Sequence, residues 1–283
     1  ILARVVEAYR KIRNTVRYLV SNLFDFDPAA DAVPLDRLDE VDRYALARYG
    51  EAGERIVRAC DQYLYQAIFH TLNTLVTVDL SAFYFDVSKD RLYTLGPHSA
   101  ARRSAQTAMY LVADGLSRLI APILPILADE LWRHLPGPRD VSVHVATFPA
   151  DLERLRDAGL VERWSRLIEI REGVNKAIET ARQRKVVGNS LEAHVTLRAG
   201  ADRWPLLERY RAELPMLFIA SQVTLLEQRP GDAAELLEVA VSRADGEKCP
   251  RCWRYVTDRS EAAGGVCGRC QDALAQSPAA NAR

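Results

Sequence analysis

The chain has 283 residues, 48% of them hydrophobic, and its 38 lysines and arginines are matched by 38 aspartates and glutamates. This composition excludes a disordered or fibrous chain, and a balanced charge supplies no global field toward nucleic acid or membrane, so any such partner must be met by a local cluster. No apolar run approaches the roughly 20 residues of a membrane span, and no basic-then-apolar leader or Asn-x-Ser/Thr sequon is present, which makes the cytoplasm the expected compartment. The chain opens on Ile1 inside an amphipathic pattern, without an initiating Met, and the expectation is a C-terminal piece of something longer.

In chain order, Val6, Tyr9, Ile12, Val16, Leu19, Val20 and Leu23 recur at steps of three and four, while Arg10, Lys11, Asn14 and Arg17 fall opposite them. That spacing predicts a surface helix with one cationic face. FDFDPAADAVPLDRLDE breaks the pattern with two prolines and many acids and leads into helical patterns from about Glu40 to Ser88. A further helix is predicted over about 99–135, with Pro122 and Pro125 removing ladder donors and ending or kinking it. Long amphipathic helices in this number predict a helical bundle.

LPGPRDVSVHVATFP marks a boundary, after which Val161, Trp164, Ile168, Val174 and Ile178 predict one more long helix closing on the basic run Arg182, Arg184 and Lys185, with Gly188 and Asn189 as stop signals. Then the period changes. AHVTL and QVTLL are β-branched runs flanking a helical segment over 202–219, and LLEVAVS alternates in twos, which predicts a small α/β module. The expected organisation is mainly α: a bundle over 1–148, a helix with an α/β junction module over 149–245, a cysteine ribbon over 246–272 and a polar tail over 273–283 too small to pack.

Cys249 and Cys252 form one C-x-x-C turn and Cys267 and Cys270 another, with fourteen residues between. Two residues between thiolates let both sulfurs converge on one ion, and two such turns complete a tetrahedral zinc shell with no open position, which predicts one structural zinc and no catalytic one. Paired disulfides are disfavoured in a cytoplasmic chain, and a redox C-x-x-C would not come in duplicate. Cys60 stands alone in a helical pattern and is expected to pack in the core. Trp253, followed by Arg254 and Tyr255, has two readings: a ring stacked on an unpaired base, or a filler of the ribbon's own interior. The five histidines lack a second ligand or nucleophile at useful spacing and read as structural, and no catalytic constellation stands out.

Several stretches together resemble the C-terminal portion of bacterial-type isoleucyl-tRNA synthetases, class I enzymes that charge tRNA with isoleucine. YRKIRNTVRYLVSNLFDFDP is similar to the opening helix of their anticodon-binding domain, and LSAFYFDVSKDRLY and RRSAQTAMYLVADGLSRLIAPILPILADELW to its later helices. ARQRKVVGNSLEAHVTL and MLFIASQV resemble the junction module, and CPRCWRY with CGRC the terminal zinc ribbon. A bundle alone is shared with valyl and leucyl relatives, and a related ribbon ends the formamidopyrimidine-type DNA glycosylases. Such a glycosylase opens on a processed proline beside an acid, where this chain reads ILARVVEAYR.

The resemblance implies recognition of the anticodon stem-loop of an isoleucine tRNA by a monomer. It implies zinc on Cys249, Cys252, Cys267 and Cys270, and RNA contacts from Trp253 and Arg254 and from Arg10, Lys11, Arg13, Asn14 and Arg17 of the first helix. Arg102, Arg103, Arg182, Arg184 and Lys185 are further phosphate candidates that read equally well as solvated surface. The HIGH-like and KMSKS-like motifs that bind ATP in the family do not occur, nor does a stretch assignable to its editing domain, so the expectation is a chain without amino-acid activation of its own.

Overall fold

The computed structural model describes residues 2–229, 231, 233, 236–260 and 264–276. The chain divides into two compact units, 1–93 with 97–161, and 94–96 with 162–283, so the compact division falls some residues after the boundary predicted from Gly and Pro content.

The first unit is helical. Helix α1 (Leu2–Ser21) is followed by α2 (Glu40–Asp61), α3 (Tyr65–Thr74), α4 (Phe85–Thr94), α5 (Ala100–Ile120) and α6 (Pro125–His134). A π-helical stretch, Leu75–Tyr84, joins α3 to α4 without a break. The buried side of α1 begins at Ala8 and runs through Ile12, Val16, Leu19 and Leu23, whereas Val5, Val6 and Tyr9 stay exposed. The apolar period therefore overstates the packed length, since it includes Val6 and Tyr9, which are not covered. Pro125 takes the first position of α6, where a missing N–H costs nothing, and the chain turns after Ile120 as the prolines predict. Helix α2 crosses α5 at Gly115, where a Cβ would collide with the Tyr49 hydroxyl. Only glycine admits that approach.

A buried ionic cluster pins α2, α4 and α5 together. Asp42 is fully buried and accepts from both terminal nitrogens of Arg91 at 2.7 and 2.8 Å, from Ser104 Oγ at 2.5 Å and from the Tyr84 hydroxyl at 2.7 Å. Burial opposes the charge on Arg91, but the Asp42 carboxylate outweighs it and holds the guanidinium protonated. The FYFDVSKDRLY string thus owes part of its character to a partner 49 residues away.

The second unit holds α7 (Ala158–Gln183), which starts just before the division, and a three-stranded sheet of β1 (Ala193–Ala199), β2 (Gln222–Glu227) and β3 (Leu237–Arg243) in the order β2-β1-β3. Strands β1 and β2 are parallel, connected through α8 (Trp204–Arg209) and α9 (Leu214–Leu217), and β3 runs antiparallel to β1. In register, Val195 faces Val223 and Val241, and Leu197 faces Leu225 and Val239, so one face is apolar. Leu207, Tyr210, Leu214 and Phe218 of the crossover are buried, and Trp164 of α7 meets Tyr210 edge-on at 5.7 Å. This is the α/β module read from the change of period.

Helix ends differ from the sequence signals. The turns after α2, α7 and α9 place Tyr63, Lys185 and Ile219 in the left-handed region, at φ 55°, 60° and 53°. In each, two amides bond back to the helix, as Val186 to Ala181 and Lys185 to Arg182 do after α7. Gly188 and Asn189 therefore do not stop α7. Asn189 instead caps the 3-10 turn Ser190–Glu192 by accepting from the Leu191 amide.

Candidate metal centre and nucleic-acid interface

The ribbon is built from two short hairpins and a helix: β4 (Glu247–Lys248) with β5 (Tyr255–Val256), β6 (Arg259–Ser260) with β7 (Val266–Cys267), and α10 (Gly268–Ala275). Gly246 sets the first hairpin at φ 86°, where a Cβ would overlap the Val256 carbonyl. The tail predicted to start at 273 begins inside α10, and residues 277–283 lie outside the described residues.

The first C-x-x-C lies in the turn between β4 and β5, and the second runs from Cys267 at the end of β7 to Cys270 in the first turn of α10. The first is closed by the Trp253 amide donating to the Cys249 carbonyl at 2.9 Å and the Cys249 amide donating to the Arg254 carbonyl at 2.8 Å. The four sulfurs lie within 4.8 Å of one another, and those of Cys252 and Cys267 are 3.7 Å apart. A tetrahedron with zinc–sulfur bonds of about 2.3 Å has edges of ~3.8 Å, so the spacing suits one such ion and is far too long for a disulfide of about 2.05 Å. All four cysteines are buried and unbonded to one another, with Val266 and Val256 packed beside them.

Burial pushes the Cys249 thiol up, but amide donors from Cys252, Cys267 and Arg251 outweigh it and bring the group to about 6. Burial raises Cys267, and it carries Cys270 up to about 12 despite the Arg251 guanidinium 3.7 Å away. Four thiolates cannot share so small a volume unaided. A divalent cation removes that obstacle and has all four sulfurs, leaving no open coordination position.

Trp253 does not fill the ribbon's interior, which belongs to the cysteines and valines. Its side chain is 60% exposed, its backbone sits at φ 65°, and Lys248 Nζ lies 5.3 Å from the ring centroid. A residue other than glycine in the left-handed region is uncommon, and here the cost is borne by a large ring facing solvent. Arg254 is half-buried beside it.

On α1, Arg10, Arg13, Asn14 and Arg17 share one exposed face at steps of three and four, with Lys11 at its edge. Arg13 and Arg17 line an open groove of about 480 Å³ with Val16, Leu127, Glu130 and His134 of α1 and α6. Arg13 meets Glu130 at 3.7 Å across it, a half-exposed and weakly held pair.

Two other candidates are corrected. Arg102 is buried and grips Asp25 with both terminal nitrogens at 2.5 and 3.0 Å, and Arg103 is bound to the Asp25 carbonyl and to Gln106, so neither is solvated surface or a free phosphate ligand. Cys60 is half-buried, not core. His70, His98, His134 and His144 are exposed, and His194 bonds the Thr224 hydroxyl at 2.7 Å. Sequence reasoning missed Arg243 and Lys248, whose charges lie over Tyr255 and Trp253; cross-strand pairing brings Lys248 opposite Tyr255, and a hairpin register was the signal that could have found it.

Two family models match the chain. "Anticodon-binding domain of tRNA ligase" covers residues 42–197, and "Zinc finger found in FPG and IleRS" covers residues 246–273. Among curated relatives, the isoleucine–tRNA ligase of Syntrophotalea carbinolica is 47% identical over 95% of this chain and 30% of its own length. That of Geobacter sulfurreducens is 47% identical over 90% and 28%, and that of Gloeobacter violaceus 45% over 97% and 29%. The chain thus spans about three tenths of the length of the relatives it matches.

Proposed function

The chain belongs to the family of tRNA ligase anticodon-binding domains, and from that premise we propose that it is the tRNA-recognition portion of an isoleucine–tRNA ligase, an enzyme of the cytoplasm that joins isoleucine to its tRNA at the expense of ATP. The relatives' shared name and their 45–47% identity over at least nine tenths of this chain support the amino acid. The anticodon-binding match disfavours the glycosylase alternative that the zinc-finger description leaves open.

In this reading the protein acts as a monomer. Cys249, Cys252, Cys267 and Cys270 hold one structural zinc, which fixes a ribbon too small to order itself by apolar burial. Trp253 stacks on an anticodon base with Arg254 beside it, while Arg10, Lys11, Arg13, Asn14 and Arg17 on α1 face the phosphates of the stem. The observation that carries the reading is the exposed Trp253 ring held at a left-handed position on the zinc turn. The module boundaries at 148 and 245 belong to the same proposal. Activation of isoleucine lies outside the chain, since no ATP-binding motif of the class is present.

Nuclease footprinting of an isoleucine tRNA with the zinc-loaded chain tests this. Protection of the anticodon loop is expected, together with no isoleucine-dependent ATP–pyrophosphate exchange by the chain alone. Protection confined to the acceptor end would contradict the assignment.

A further inference from the structure

A line of cations and aromatic rings links the tip of α7 to the ribbon, and its members come from separate elements of the second unit. At the tip, the side chains of Arg184 and Lys185 are exposed and make no ion pair among the described residues. Arg182, by contrast, is held by Glu179 at 2.8 Å and donates to the Gly188 carbonyl at 3.3 Å. Lys185 itself turns the chain in the left-handed conformation that glycine adopts freely, so a charged side chain is retained where the backbone favours none.

Beside this turn an open cavity of about 450 Å³ is lined by Arg182, Lys185, Glu192 and Arg243 among others. Its acids are already engaged. Glu179 pairs with Arg182, and the two carboxylate oxygens of Glu192 accept from the Gly188 amide and the Asn189 side chain, both at 2.8 Å. Lys185 and Arg243 are the charges left over at the opening. A basic residue in the last helical turn complements the helix dipole, which accounts for Arg182. It does not account for Arg243, which arrives from β3.

The line continues from Arg243. Its guanidinium lies 5.8 Å from the Tyr255 ring, Tyr255 is the cross-strand partner of Lys248, and Lys248 lies over Trp253. In order the chain presents cation, cation, ring, cation, ring. A double helix hides its bases and gives rings nothing to stack on, whereas a single strand offers flat bases to the rings and phosphates to the cations.

We infer that this line is a track for single-stranded RNA: with one base on Trp253, the neighbouring nucleotide lies over Tyr255, and the phosphates beyond it are gripped by Arg243 and Lys185 at the tip of α7. The inference rests on the reading of the chain as a tRNA-recognition module and adds a second grip on the same loop.

The test measures affinity of the zinc-loaded chain for a labelled RNA hairpin with an isoleucine anticodon in its loop, over a salt series, with a fully paired duplex as control. Lys185→Gly suits the left-handed position better than lysine does, so it removes the charge without a folding penalty. Combined with Arg243→Gln it should lower the log-affinity against log-salt slope by about 1.4, at about 0.7 per lost single-strand phosphate. Lys185→Gly with Arg243→Lys should recover about half. Trp253→Ala should weaken binding roughly 5- to 150-fold with the slope unchanged. A parent chain that binds the hairpin while the double variant keeps the parental slope overturns the track alone. Equal binding to the duplex removes its single-strand character, and a parent that binds no RNA sinks the tRNA reading and the track together.

Discussion

Replacing Trp253 by glycine tests its role as an exposed stacking surface, because that role and an interior filler predict opposite signs for stability. At φ 65° a side-chain-bearing residue is strained by about 1–2 kcal/mol relative to glycine. The substitution relieves that strain and loses the exposed contact with Lys248, worth about 0.5–1 kcal/mol. The ribbon should therefore hold its zinc as well as before, or better by up to ~1.5 kcal/mol. A tryptophan filling an apolar interior would instead cost roughly 3–5 kcal/mol on truncation. Binding moves the other way: loss of a stacking surface worth about 1–3 kcal/mol weakens tRNA affinity some 5- to 150-fold. Zinc release to a competing chelator, followed alongside tRNA binding on one sample, reads both quantities. A glycine variant that sheds zinc more readily than the parent, or that binds tRNA at full strength, would refute the reasoning.

The remaining predictions concern the metal, the core and the first helix. Purified protein should carry one zinc per chain, and chelation should abolish ribbon structure while most helical circular dichroism persists, since the first unit has its own core; simultaneous loss of both would contradict this. Asp42→Ala leaves the buried Arg91 with only the half-exposed Asp39 carboxylate, 2.8 Å away, and should cost about 3 kcal/mol in denaturant unfolding, whereas a loss below about 1 kcal/mol would show that the cluster is not the clamp described. Changing Arg10, Arg13 and Arg17 together to alanine should flatten the salt slope of tRNA binding by about 0.7–0.9 per lost contact, and an unchanged slope would return those arginines to ordinary solvated surface.

What the sequence discloses here is what local pattern encodes. The period of α1, the proline break between α5 and α6, the β-branched strands of the junction module and the paired C-x-x-C turns are each written within a few residues, and the fold follows them. Helix ends were less legible because Tyr63, Lys185 and Ile219 occupy turns where glycine is the usual signal, so the visible glycines pointed to the wrong place after α7. Long-range pairings left no local trace at all. Arg102 and Arg103 look like a surface dipeptide until Asp25 meets them across 77 and 78 residues, and Arg91 needs Asp42. Trp253 was undecided by composition, and its exposure decides only that it does not fill the interior.

The most direct test of the central claim is a loop-swap measurement: affinity of the zinc-loaded chain for an anticodon stem-loop of an isoleucine tRNA, against the same stem with an unrelated loop sequence, at matched salt. Each loop base read by stacking and edge contacts should contribute about 1–3 kcal/mol, so the account predicts at least several-fold tighter binding to the isoleucine loop. Equal affinity for both hairpins would mean that the chain senses only the phosphate backbone, and recognition of the anticodon would have to be abandoned.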